Sequence, residues 1–118
     1  MTLGRDAILA ADDLPRESVP VDEWAPGETV IVRAITAAEF DRFQTELASF
    51  KDDPRQIDNM RSRFLIYCLV DEAGERLFGD DDAPLLGRKN RQAIMRLYEK
   101  AQRLSGLGPA AVEDAAKN

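Results

Sequence analysis

The sequence predicts an α+β domain, mainly α, in which a small N-terminal β-hairpin packs against three long helices, with a short hairpin or turn between the second and third. Three observations predict it. A Pro26-Gly27 turn separates two β-rich stretches, VPVDEW and ETVIVRAI. Phe40, Phe43, Leu47 and Phe50 recur at helical spacing behind a TAAE start. Ile94, Leu97, Tyr98, Ala101 and Leu104 form a second stripe of helical period, closed by Gly106.

Residues 2–11 read as a short helix with Ile8 and Leu9 as its apolar contacts. Pro15 and Pro20 fix φ and remove donors, so Asp12 to Ser18 is expected as an extended linker. Val19 to Trp24 offers the first strand, and Pro26-Gly27 turns the chain into a β-branched second strand over 28–35. Thr36 and Glu39 then make a capping box, each side chain taking an orphan N–H at the start of the first long helix. KDDP ends that helix, because the residue before Pro54 is pushed out of the helical region.

The second long helix is expected from about Arg55 to Val70, with Ile57, Met60 or Arg61, Phe64, Cys68 and Leu69 facing the core. Its second half, FLIYCLV, is apolar on nearly every side and reads as the central element. DEAGERLF is a reversal around Gly74 that returns Leu77 and Phe78 to the core. Asp80 or Asp81 should cap a short helical turn in which Leu85 and Leu86 dock and which Gly87 ends. The third long helix is expected over Arg88 to Leu104. Pro109 opens a helical or flexible tail, so the organisation read here is one domain over 1–108 and a tail over 109–118.

A chain of 118 residues can bury roughly two-thirds of its unfolded surface, enough for a core without staples. The net charge of −6 opposes binding to nucleic acid, which needs clustered Lys and Arg. There is no histidine, which removes Ser-His-Asp and Cys-His catalysis and most zinc sites. The single cysteine, Cys68, can form no internal disulfide and reads as a small buried hydrophobe. No apolar run approaches the ~20 residues of a membrane span, and the N-terminus lacks the pattern of a secretory signal. No membrane contact is expected, and the chain reads as cytoplasmic.

The most chemically suggestive stretch is VDEAGERLFGDDDAPLLG, with Asp71, Glu72, Glu75, Asp80, Asp81 and Asp82. A calcium loop wants oxygen ligands at its positions 1, 3, 5 and 12 and glycine at 6. Counted from Asp71, Ala73 and Arg76 fall on positions 3 and 6; counted from Asp80, Pro84 and Leu85 fall on 5 and 6. Both registers fail, leaving only adventitious cation binding at Asp80–Asp82. Consecutive solvated aspartates also do not make an acid/base pair, which needs environments that push two pKa values apart. Capping and solubility explain the acids better. Trp24 reads as a lid on the core rather than a ligand platform. RSRF and RKNR (Arg61–Phe64, Arg88–Arg91) read as solvated faces balancing nearby acids rather than as a phosphate site. GLG at 106–108 lacks the third glycine and preceding strand of a nucleotide fingerprint. No catalytic, cofactor-binding or metal residue is assigned, no cofactor is expected, and the chain is read as non-enzymatic.

The order of these features carries a resemblance. VPVDEW with its following strand, then VDEAGERLF, then LSGLG leading to AVEDAAKN, are similar to the tail assembly chaperones of long-tailed bacteriophages, over about residues 3–118. The resemblance implies a protein that holds the tape measure protein soluble, helps recruit tail tube protein, forms homo-oligomers and is absent from the finished virion. An apolar helical partner is expected to be gripped in an apolar groove between the long helices, with the flanks of the last long helix and the tail after Gly108 (Met95, Tyr98, Leu104, Leu107 and Val112) as the contacts. In that family some ribosomes shift back one frame near the gene's end, and Ala116-Lys117-Asn118 can be encoded by GCA AAA AAC, which contains the slippery run such a shift needs. The competing readings are a small acidic adaptor or inhibitor, a carboxylate enzyme, and another morphogenesis protein such as a head–tail completion factor. Acids interleaved with Arg and Lys weigh against the first, and apolar helices without paired acids against the second.

Overall fold

The computed structural model describes residues 1–50 and 59–108. In chain order these form α1 (Arg5–Ala10), β1 (Arg16–Pro20), β2 (Thr29–Arg33), α2 (Ala37–Ala48), α3 (Met60–Leu65), β3 (Leu69–Val70), α4 (Ala83–Leu86) and α5 (Arg91–Leu104). The α+β class holds, but the three long helices do not: of the described helices only α2 and α5 exceed six residues.

The hairpin forms with β1 and β2 antiparallel, pairing Arg16 with Arg33 and Pro20 with Thr29. The turn closes through Glu28 N–H to the Ala25 carbonyl and Gly27 N–H to Asp22 Oδ1. The first strand lies earlier than the sequence suggests. Arg16–Ser18, expected as linker, are in β1, and Asp22–Trp24, expected as strand, are in the turn. Pro20 is tolerated because β1 is an edge strand and Pro20 ends it. Val19 and Val21 point inward from one side of the hairpin, and Val32 and Ala34 from the other, at the period of two that a half-buried sheet requires.

The capping box at Thr36 is present in full. Thr36 Oγ1 accepts from Glu39 N–H at 3.0 Å, and Glu39 Oε1 accepts from Thr36 N–H at 3.0 Å. Helix α2 buries Phe43 and Leu47 and half-buries Phe40, and half-buried Phe50, the last of the expected stripe, lies in the turn after it.

The largest departure falls in FLIYCLV. Residues 55–58, including Ile57, lie outside the described residues. The described part of the expected second helix stops at Leu65, turns through Ile66–Cys68, and becomes a strand at Leu69–Val70. The burial was legible, since every residue from Phe64 to Val70 is buried. The conformation was not, because a run apolar on all sides carries no period that separates helix from strand. What decides it is the second edge of β2, whose backbone groups need partners. Val32 pairs with Leu69 and Ile31 with Val70, and Arg33 N–H donates to the Cys68 carbonyl at 2.8 Å. Val70 then bridges to Arg76 across the reversal at Gly74.

Helix α5 begins at Arg91 rather than Arg88, because Asn90 is its cap: its Oδ1 accepts from Ala93 N–H at 3.1 Å. It ends where expected, at Gly106 with φ +73°. The core joins the sheet to α2, α3 and α5 in one cluster. Phe64 is its hub, with ring centroids 5.4 Å from Phe43, 6.5 Å from Phe40 and 5.9 Å from Tyr98, the last two nearly edge-on.

Candidate partner-binding surface

The expected groove between long helices is filled. Helix α3 lies between α2 and α5 and seals them with Phe64. Of the residues read as partner contacts, Tyr98 is 2% exposed and its hydroxyl accepts from Gln102 Nε2 at 3.2 Å, so it builds the core. Met95, Leu104 and Leu107 are half-buried and pack on the rim of that core. Val112 lies outside the described residues.

The end of α5 is anchored to the start of α2. Ile35 N–H donates to Ser105 Oγ at 2.9 Å, and Leu107 N–H to the Gln102 carbonyl at 2.9 Å. The other end is clamped to the hairpin turn by Arg96, which donates to both carboxylate oxygens of Glu23 at 2.9 and 2.6 Å and to the Pro20 carbonyl at 3.0 Å. The hydrogen-bonded Arg96 guanidinium holds the Glu23 carboxyl down at about 2. Lys100 adds a pair with Glu17 at 3.1 Å.

Inside, Arg33 joins sheet to helix: its Nη2 donates to Glu39 Oε1 at 2.6 Å and to the Tyr67 carbonyl at 2.9 Å. Arg76 lies over the Tyr67 ring, 4.8 Å from its centroid, donates from Nε to the Ile66 carbonyl, and pairs with Asp80 at 3.0 Å. Burial pushes the Cys68 thiol up to about 12 and raises Tyr67, so neither is a nucleophile at neutral pH.

The acidic stretch caps backbone turns, through different residues than the sequence suggested. Asp71 Oδ1 accepts from Ala73 and Glu75 N–H at 2.9 and 3.0 Å. Asp82, rather than Asp80 or Asp81, sits at the start of α4, and its Oδ2 accepts from Gly79 N–H at 2.8 Å. Among the described residues no three metal-ligating side chains converge.

The apolar side chains left facing water were misread as docked. Ile8 and Leu9 of α1 are 56% and 67% exposed, and α1 buries none of its residues. Leu77 is exposed while Phe78 beside it is half-buried. On α4, Leu86 is buried and Leu85 is 55% exposed. Neighbours on a helix differ by about 100° in direction, and on this short peripheral turn only the side that carries Leu86 meets the core. Trp24, Phe78, Leu85, Leu86 and Lys89 line a cleft of about 360 Å³. Trp24 is half-buried as a lid, and its indole Nε1 is buried with no acceptor among the described residues. A second opening of about 520 Å³, at the root of α1, is lined by Asp12, Asp13 and Arg16 together with Arg33, which is already committed to Glu39.

Ion pairs knit the elements together, and among the described residues a few large apolar side chains, Ile8, Leu9, Leu77 and Leu85 among them, face outward with no catalytic cluster beside them. A family model of phage tail assembly chaperones matches residues 4–118, and the chain belongs to that family. No curated protein and no solved structure shows a significant match. Among the described residues no helix is long and apolar enough to cross a membrane.

Proposed function

We propose that this chain acts in the host cytoplasm to hold the tape measure protein in soluble form and to help recruit tail tube protein during phage tail assembly, without enzymatic chemistry and without entering the virion. The observation that carries the reading is the family match from residue 4 to residue 118. The grip proposed is the rim of the core at the end of α5, where half-buried Leu104 and Leu107 lead into the segment that carries Val112, with Met95 further up the helix. Tyr98 supports this rim from beneath. Apolar helical partners are taken by such surfaces through a stripe of side chains rather than one pocket.

Residues 1–108 are proposed to fold without the tail, and a minus-one frameshift near Ala116-Lys117-Asn118 to give a longer form. The test is co-expression with the tape measure protein encoded beside it. Expected is a tape measure that stays soluble and co-purifies with the chain, and loses solubility when Leu104 and Leu107 are both changed to Asp. A tape measure equally insoluble with and without the chain overturns the proposal. Detection of the chain in purified virions favours a head–tail completion factor instead.

A further inference from the structure

Among the described residues, two apolar features without a partner are complementary to each other. One is the N-terminal arm. Helix α1 presents Ile8 and Leu9, preceded by Leu3, and buries nothing against the rest of the protein. The other is the cleft formed by Trp24, Phe78, Leu85 and Leu86, whose outer wall is the exposed side chain of Leu85. Exposed apolar groups of this size on two separate elements mark contact surfaces. Their charges also match. The arm carries Asp6, Asp12 and Asp13 against Arg5, and Arg5 is already paired with Asp6 at 2.8 Å. The cleft has Lys89 on its rim, and Arg88 and Arg91 flank it in sequence, all three exposed.

No acid lines the cleft, and the acids next to its lining residues in sequence are largely engaged. Glu23 is held by Arg96, Asp80 by Arg76, and Asp82 accepts from the Gly79 backbone. A net acidic arm therefore meets a cleft whose one charged lining residue, Lys89, is basic, with exposed Arg88 and Arg91 near it in sequence and, among the described residues, exposed Asp81 the acid left unpaired beside α4.

We propose that the arm of one copy docks in the Trp24–Leu85 cleft of a second copy, with Ile8 and Leu9 entering the cleft and Asp12 and Asp13 meeting Lys89 and Arg88. The contact is heterologous: each chain uses its arm on one neighbour and its cleft on another. It therefore extends into a ring or an open helical stack rather than stopping at a two-fold dimer. The inference rests on the homo-oligomer expected of the chain, and specifies the two surfaces that form it. It is independent of tape measure binding, so either can fail alone.

The experiment is sedimentation velocity of the full chain over a concentration series, alone and in mixtures. Wild type is expected to grow with concentration beyond a dimer. An arm variant (Ile8→Asp with Leu9→Asp) and a cleft variant (Leu85→Asp) should each be monomeric, their self-association weakened about tenfold or more. All the substituted side chains are exposed, so both variants should keep the circular dichroism and melting temperature of the wild type. The decisive sample is the mixture. The arm variant retains a cleft and the cleft variant retains an arm, so mixing them should give a dimer that grows no further. As a second readout, Leu9→Cys mixed with Leu85→Cys should form an intermolecular disulfide. A monomeric wild type at all concentrations overturns the proposal. So does a mixture that stays monomeric, a Leu9–Leu9 cross-link in preference to the mixed one, or a doubly substituted chain that links only within itself.

Discussion

Glu39 performs two jobs with one oxygen, and they can be separated by mutation. Its Oε1 accepts from Thr36 N–H at 3.0 Å, closing the capping box of α2, and from Arg33 Nη2 at 2.6 Å, tying that helix to β2. Both side chains of the pair are mostly enclosed, 14% and 15% exposed. Glu39→Ala removes the reciprocal cap bond, worth about 1 kcal/mol. It also strands an enclosed cation, which in a fully buried pair costs about 3–5 kcal/mol. Arg33 keeps the Tyr67 and Ala34 carbonyls as acceptors, so the lower part of that range is discounted further. The expected total is about 3 kcal/mol. Glu39→Gln keeps an acceptor for Thr36 N–H and loses only the charge, for about 1.5 kcal/mol. Thr36→Ala loses only the other half of the cap, for about 1 kcal/mol. Urea unfolding at constant slope measures all three. In an Arg33→Met background, Glu39→Gln should become nearly silent. The reasoning is refuted if Glu39→Ala costs no more than Thr36→Ala, or if the effect of Glu39→Gln is the same with and without Arg33.

Phe64→Ala empties the hub touched by Phe40, Phe43 and Tyr98, and should cost at least about 4 kcal/mol in the same urea assay. On α4, Leu86→Ala should cost about 2–4 kcal/mol while Leu85→Ser stays within about 0.5 kcal/mol, a contrast between adjacent residues that thermal melts resolve. Glu23 has a folded pKa of about 2 against an ordinary value of 4.5, so folding holds its proton off. The stabilisation is present above pH 4.5 and is lost as pH falls from there toward 2, and Glu23→Gln should flatten that part of a stability-against-pH curve. Cys68 is fully enclosed with its thiol pushed up to about 12, so iodoacetamide at pH 8 should label it only at the rate of unfolding, and at once in denaturant.

What the sequence made legible was local and repeated. The capping box, the Pro26-Gly27 turn, the Phe43–Leu47 stripe and the Gly106 stop each rest on residues a few positions apart, and all stand in the fold. The failures share a cause: they depend on a partner far along the chain. Leu69–Val70 is a strand because β2, some forty residues earlier, has an open edge for it. Arg16–Ser18 is a strand because Val32 and Arg33 are there to pair with. Leu85 and Leu9 are exposed because none of the other described elements covers them. Periodicity tells which side chains are apolar together and is silent on whether a wall stands opposite.

That last failure bears on function. A third long helix would have left a groove through the middle of the protein, and gripping a partner there would have competed with folding. Here α3 and β3 fill the middle, with Phe64, Leu65, Cys68 and Leu69 fully enclosed. The apolar groups available for contact sit instead on the smallest and most peripheral pieces: a six-residue arm, a four-residue turn of helix, and the rim at Leu104 and Leu107. The rim is fastened to the segment before α2 by the Ile35 N–H to Ser105 Oγ bond. Losing a contact at such a site costs the fold little, because none of its own core is involved. The function proposed above, holding a partner during assembly and then letting go, is suited by this arrangement, with binding energy carried on the periphery and folding energy kept in the centre.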